Sequence, residues 1–274
     1  MDNKIPLRFF VITFLWTWFF IGAIFLFAKI GVVFESNTFT SSIGLPPPLL
    51  IVGAFGPAIG ALISLRSIKG KGAIKEFLKR FLSLNFGWKV WISIFLILGI
   101  PTIIAWIIPE LFGENRLPTY LPNGFIFPLY LLLMVFFGGG QEEIGWRGYI
   151  LPFLEKRFGL IIGSLILGII WAVWHLPLWF ISGSTQAYMN FFLFMVLSIG
   201  YSFIFSWITK TSGNRLLSGL FAHGTANAFI PLFPTLILKQ NVKQVRFFIY
   251  SLLILVIGII IVILRSVKNR KNGT

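Results

Sequence analysis

The chain has no cysteine, only two histidines, and eight acidic residues among its 274 positions. Without thiols, disulfides, thiolate metal sites, cysteine nucleophiles and lipidation of the chain's own cysteine are excluded. Charge is scarce too: 11% of residues are charged against 57% hydrophobic and 18% aromatic, with a mean hydropathy of +0.90. So little polar surface cannot coat a water-soluble globule. Strict two-residue alternation is also missing, so the apolar runs read as membrane helices rather than barrel strands.

What is present is a series of runs matched to a ~30 Å hydrocarbon core, which takes about 20 helical residues. Eight spans are expected, at about 9–28, 49–65, 90–108, 124–137 running on into two glutamates, 160–180, 191–208, 216–233 and 247–264. The expected fold is therefore all-α, a polytopic helical bundle forming one membrane domain over 1–274. The first run follows Lys4 and Arg8 and is longer than the apolar region of a cleavable signal, so it is taken as a span. "GLPPPLL" at 44–50 reads as a stiff outer turn. In "AIKEFLKRFLSL", Ile74, Phe77, Leu78, Phe81 and Leu82 share one helical stripe and Lys75, Glu76, Lys79 and Arg80 another. That segment is expected to lie along the cytoplasmic interface, apolar face down.

The net charge of +15 raises nucleic acid as a partner, but its distribution favours membrane lipid. With a cytoplasmic N-terminus, 18 of the 23 lysines and arginines fall on the inner side, leaving Lys29, Arg116, Lys239, Lys243 and Arg246 outside. This bias predicts that both termini are cytoplasmic.

"FGGGQEEIGWRGYI" at 137–150 places Glu142 and Glu143 side by side at the end of an apolar run. An ionisable group at membrane depth costs about 2.5 to 3.5 kcal/mol on insertion scales, and such groups normally face a bundle interior or a wet cavity. On a helix, Glu143 and Arg147 share a face and pair, while Glu142 is turned by about 100°. Glycines 138–140, 145 and 148 remove side chains around the pair and permit close approach. Both histidines also lie inside apolar spans: His175 one turn after Trp171, and His223 one turn before Asn227. A carboxylate and an imidazole together can deprotonate water, and His and Asn donors can hold the oxyanion formed when that water attacks a carbonyl. At ~1.5 Å per residue, Glu142 lies about 26 Å in from Phe125 and His175 about 22 Å along from Leu160. A common depth then requires tilt, or a 151–160 connection that extends beyond the membrane face.

Glu-Glu-x-x-x-Arg, then aromatic-x-x-x-His, then His-x-x-x-Asn, each on its own helix, resembles the CPBP intramembrane proteases. That family includes the type II CAAX prenyl endopeptidases and bacterial relatives linked to bacteriocin self-immunity. The resemblance covers about 125–230, with weaker support from "GAFGPAIGALI" in the second span. It implies an endopeptidase in which Glu142 and His175 activate water and His223 and Asn227 stabilise the oxyanion. Glu143 and Arg147 would support Glu142. Trp171 stands where the family more often has phenylalanine. The implied substrate is a peptide or a lipidated protein, with no cofactor; zinc held by Glu142, His175 and His223 is the alternative. Two other functions are weighed beside the enzyme. One is a non-catalytic immunity or partner protein of the same family, and the other is a proton-coupled transporter, for which no inverted repeat is visible.

Overall fold

The computed structural model describes residues 6–29, 48–80, 84–121 and 124–271, and these contain helices and turns but no strand. The helices are α1 (Leu7–Lys29), α2 (Pro48–Ala54), α3 (Gly56–Lys69), α4 (Lys71–Lys79), α5 (Trp88–Ile107), α6 (Phe127–Phe136), α7 (Leu151–His175), α8 (Phe191–Thr211), α9 (Leu216–Leu232) and α10 (Val245–Lys271). Of the residues read above, Lys4, Pro46, Pro47, Phe81 and Leu82 lie outside the described set. Pro48 opens α2, where its missing N–H costs no helical hydrogen bond.

Among the described residues, six segments are long and apolar enough to cross a membrane: Leu7–Phe27, Pro48–Lys69, Trp88–Phe112, Gly124–Phe180, Phe191–Thr211 and Val245–Val267. Eight spans were expected, and the difference has two sources. Gly124–Phe180 covers two of the expected spans, and α9 is a shorter, largely buried helix of 17 residues. The burial pattern is that of a chain dissolved in lipid. Large apolar side chains such as Leu15, Phe19, Phe125, Phe192 and Leu264 are exposed, whereas Glu143, Arg147, Ser202 and Thr225 are buried.

Small residues set the helix spacing, as expected where lipid offers no hydrophobic drive between helices. A Cβ on Gly168 of α7 would sit 2.7 Å from Ile199 Cα of α8. One on Gly200 would sit 2.7 Å from the Ile254 and Leu255 backbone of α10. The hydroxyl of Ser202 donates to Ser164 O at 2.7 Å, joining α8 to α7. Likewise Thr17 Oγ1 donates to Gly53 O at 2.7 Å, joining α1 to α2.

The fourth crossing is not one continuous helix, which corrects the expected path. At ten residues, α6 is about 15 Å long and too short to span. After the glycines come a 3₁₀ turn (Gly140–Glu142), an α turn (Glu143–Gly145) and a π turn (Trp146–Ile150), leading into α7. Within α7 the chain reverses at Gly159, whose φ of 77° and ψ of 166° suit glycine alone. Beyond the turn, a Cβ on Gly163 would lie 3.0 Å from the Leu154 backbone, so the two arms run side by side. Trp146 and Trp174 meet at 5.7 Å between ring centroids further up the same hairpin. Counted from Gly159, Glu142 is 17 residues back and His175 is 16 residues on, so the hairpin brings them to one depth. Glu142 therefore lies about midway along the stretch from Gly124 to the turn at Gly159. Arg147, read above as one of the inner-side cations, is buried inside the protein.

The helix expected at the interface forms as α4, but it docks on protein rather than presenting its whole apolar stripe to lipid. Phe77 is buried over Gly148, and Arg80 donates from Nη1 to Gly148 O at 3.1 Å and from Nη2 to Asn214 O at 3.1 Å.

Candidate active site

The site is built where the fourth crossing breaks. Gly139 has φ 125° and ψ −35°, which ends the helical hydrogen-bond ladder of α6 and restarts it in a new direction. The restart puts Glu142 and Glu143 on different faces of a short turn. The π turn that follows widens the helix around Arg147, a distortion common at functional sites. All three side chains are buried. Gly145 makes that possible, since a Cβ there would stand 2.5 Å from the Pro57 carbonyl carbon of α3.

Glu143 is the hub. Its Oε1 accepts from Arg147 Nη1 at 2.9 Å, the expected i,i+4 pair, and also from His223 Nδ1 at 2.9 Å. An ionised carboxylate only accepts, so His223 carries its proton on Nδ1 and turns Nε2 toward the glycine break. Arg147 lies with its guanidinium 5.5 Å from the Trp171 ring and 5.2 Å from the Phe205 ring. Among the described residues no acceptor meets its Nε or Nη2. The cation is thus held by one carboxylate and two aromatic faces.

Trp171 links the other parts. Its indole Nε1 donates to Glu142 Oε2 at 2.7 Å, across the hairpin. Its ring meets His175 edge-on at 5.6 Å and His223 edge-on at 5.0 Å. His175 Nδ1 lies 2.8 Å from Trp171 O, and a carbonyl there can only accept, so Nδ1 carries the proton and Nε2 keeps its lone pair. Asn227 closes the set by donating from Nδ2 to Gly138 O at 2.6 Å. A Cβ on Gly139 would stand 2.5 Å from Asn227 Nδ2 and 2.7 Å from His223 Nε2, so both groups press on the glycine break. Glu142, Glu143, Arg147, Trp171 and His223 are buried, while His175 and Asn227 are half-buried at the margin.

Glu142, His175 and His223 were weighed above as zinc donors. Among the described residues they do not gather into a three-donor metal set, and each histidine directs Nδ1 to a carboxylate or a carbonyl, leaving Nε2 as its free ring nitrogen.

Three contacts were not read from sequence, the Trp171–Glu142 bond being one of them. The link from Glu143 to His223 joins residues 80 positions apart, and adjacency of Glu143 to Arg147 suggested a closed pair. Phe205, stacked on His223 at 5.3 Å, sits in an apolar run with nothing to mark it.

A family profile described as type II CAAX prenyl endopeptidase Rce1-like matches residues 124–229, the stretch holding all of these groups. The chain is also 27% identical to the CAAX prenyl protease 2 of Methanococcus maripaludis over 195 residues, which cover 65% of this chain and 70% of that protein. The three polar motifs, gathered at one level of a multi-pass helical bundle, all fall within the profile match, so over this stretch the chain is similar to the Rce1-like type II CAAX prenyl endopeptidases.

Proposed function

We propose that the protein is an intramembrane endopeptidase of the glutamate type. In this reading the carboxylate of Glu142, with His175 Nε2, takes a proton from a water molecule, whose oxygen attacks the scissile carbonyl carbon. The carbonyl oxygen becomes an oxyanion facing His223 and Asn227. Collapse breaks the C–N bond, and the proton returns to the leaving amine. A general base supplies about 10² to 10⁴ in rate, and each oriented oxyanion donor about 10² to 10³. With Nδ1–H given to Glu143, His223 offers a second N–H only as an imidazolium, whose charge Glu143 balances. Glu143 and Arg147 therefore act on the oxyanion side of the site as well as beside Glu142.

The observation that supports this reading best is Trp171, a single side chain that hydrogen-bonds Glu142 and touches both histidine rings. It ties the carboxylate to the imidazoles from two other helices. The name of the Methanococcus maripaludis relative supports a substrate with a C-terminal CAAX segment, presented at the membrane after prenylation.

The test uses purified protein in lipid vesicles and a peptide ending in a prenylated CAAX segment. Wild type should release the terminal tripeptide, and Glu142→Gln should lower the rate by about 10² to 10⁴ with unchanged folding. Full cleavage by Glu142→Gln, with a stably folded but inactive Glu143→Gln, would assign the base to the other carboxylate.

A further inference from the structure

Gln141 sits between the glycine break and the first glutamate, is 2% exposed, and has no role in the chemistry described above. Its Oε1 accepts from Gly139 N–H at 2.9 Å, and its Nε2 makes a longer contact to Phe137 O at 3.5 Å. Gly139 N–H and Gly138 C=O belong to the same peptide unit. That unit is clamped at both ends: its N–H by Gln141 Oε1, and its C=O by Asn227 Nδ2 at 2.6 Å.

Peptide planarity makes the clamp directional. Because the N–H and C=O of a trans peptide point in opposite directions, fixing the N–H on Gln141 aims the carbonyl at α9. A carbonyl can only accept, so it selects the Asn227 orientation that presents NH₂ rather than oxygen at that edge. One Asn227 hydrogen is used on Gly138 O. The second remains on the same nitrogen, beside His223 Nε2, on the side where Gly139 has no side chain. With the Gly138–Gly139 peptide released, its carbonyl would turn away and Asn227 would be free to flip its oxygen toward the developing charge.

We infer that Gln141 is a positioning residue, acting through the Gly138–Gly139 peptide to keep the Asn227 amide turned so that its N–H faces the oxyanion. This rests on the oxyanion role proposed for Asn227. It also accounts for the sequence order of glycines, then glutamine, then the glutamates. The glycines let the peptide adopt its turn, and the glutamine supplies the acceptor that the broken helix can no longer give Gly139 N–H.

The experiment is a double-mutant cycle on the full chain in lipid vesicles, with the prenylated peptide as substrate. Gln141→Met keeps the side-chain length and removes the acceptor. It is expected to lower kcat by about 10- to 100-fold, the size of a small misalignment, with KM within about twofold. Asn227→Ala should lower kcat on its own. In that background Gln141→Met should add less than about twofold, whereas any loss of thermal stability from Gln141→Met should be the same in both backgrounds. A structural role alone would instead give multiplying losses. Gln141→Asn, which keeps the amide but shortens its reach, serves as the second variant and should lie between wild type and Gln141→Met.

Multiplying losses, a loss carried by KM, or unchanged kcat in Gln141→Met would overturn the inference. So would failure of both Gln141 variants to fold where Asn227→Ala folds normally. Intact cleavage by Asn227→Ala would instead remove the oxyanion reading itself, and is distinguished by that single variant.

Discussion

Arg147 offers a sharp test of how this membrane interior holds charge. Its only hydrogen-bonded anchor among the described residues is Glu143 Oε1, and both side chains are fully buried. Glu143→Gln removes the countercharge and leaves a guanidinium against two aromatic rings. Arg147→Gln leaves a carboxylate whose remaining partner is His223 Nδ1. Stranding one member of a buried pair costs about 3 to 5 kcal/mol, because the desolvation already incurred is no longer offset. In a protein of this size that corresponds to a fall in Tm on the order of 10 °C. Glu143→Gln/Arg147→Gln removes both charges and should be less unstable than the singles combined, with a coupling of about 1 to 3 kcal/mol.

Activity should not follow stability in this cycle. The double variant regains stability, yet His223 has lost the carboxylate that accepts its Nδ1–H, so cleavage should stay low. Thermal unfolding of purified protein, followed by tryptophan fluorescence, reads the first quantity, and the prenylated-peptide assay reads the second. If Arg147→Gln melts at the wild-type temperature, or if the two single losses simply add, then the pair is not the closed unit described here. Recovery of activity together with stability would remove His223 from Glu143's role.

Two further outcomes are expected from the reading of the sequence. A strong chelator, with or without zinc added back, should leave cleavage by the purified protein unchanged within about twofold; loss restored by zinc would place a metal among Glu142, His175 and His223. Cysteines introduced one at a time near Pro6 and at Lys271, in a chain with no natural cysteine, should both be labelled only from the cytoplasmic face, and outside labelling of either would overturn the orientation read from the basic residues.

The composition, the helical class and the groups that meet in the site were legible because buried charge is expensive in lipid, so each intramembrane Glu, Arg, His and Asn stands out from an apolar background. Spacing gave the Glu143–Arg147 pair, since i,i+4 neighbours share a face on any helix. It could not give the Glu143–His223 bond, the stacking of Phe205 or the Glu142–Trp171 bond, which depend on how separate helices pack. It left a common depth for Glu142 and His175 to either tilt or an extended 151–160 connection, because a run of apolar residues does not show where a helix reverses. Gly159 is the missing mark, one glycine among 27, distinguished only by its backbone angles. A test of the hairpin's part in the site is therefore a test at Gly159. No atom lies within 4 Å of where its Cβ would be, so Gly159→Ala creates no clash and acts through backbone strain alone. Its φ of 77° with ψ of 166° is a conformation that L residues avoid, at a cost of about 1 to 3 kcal/mol. The strain relaxes by shifting the arm that carries Trp171 and His175 relative to the arm that continues from Glu142. Gly159→Ala should thus lower thermal stability by that amount and reduce kcat by about 10-fold or more, although the residue is 17 positions from Glu142 and 16 from His175. A Gly159→Ala protein with wild-type stability and wild-type kcat would show that the reversal does not depend on this glycine, and that some other feature aligns the two arms.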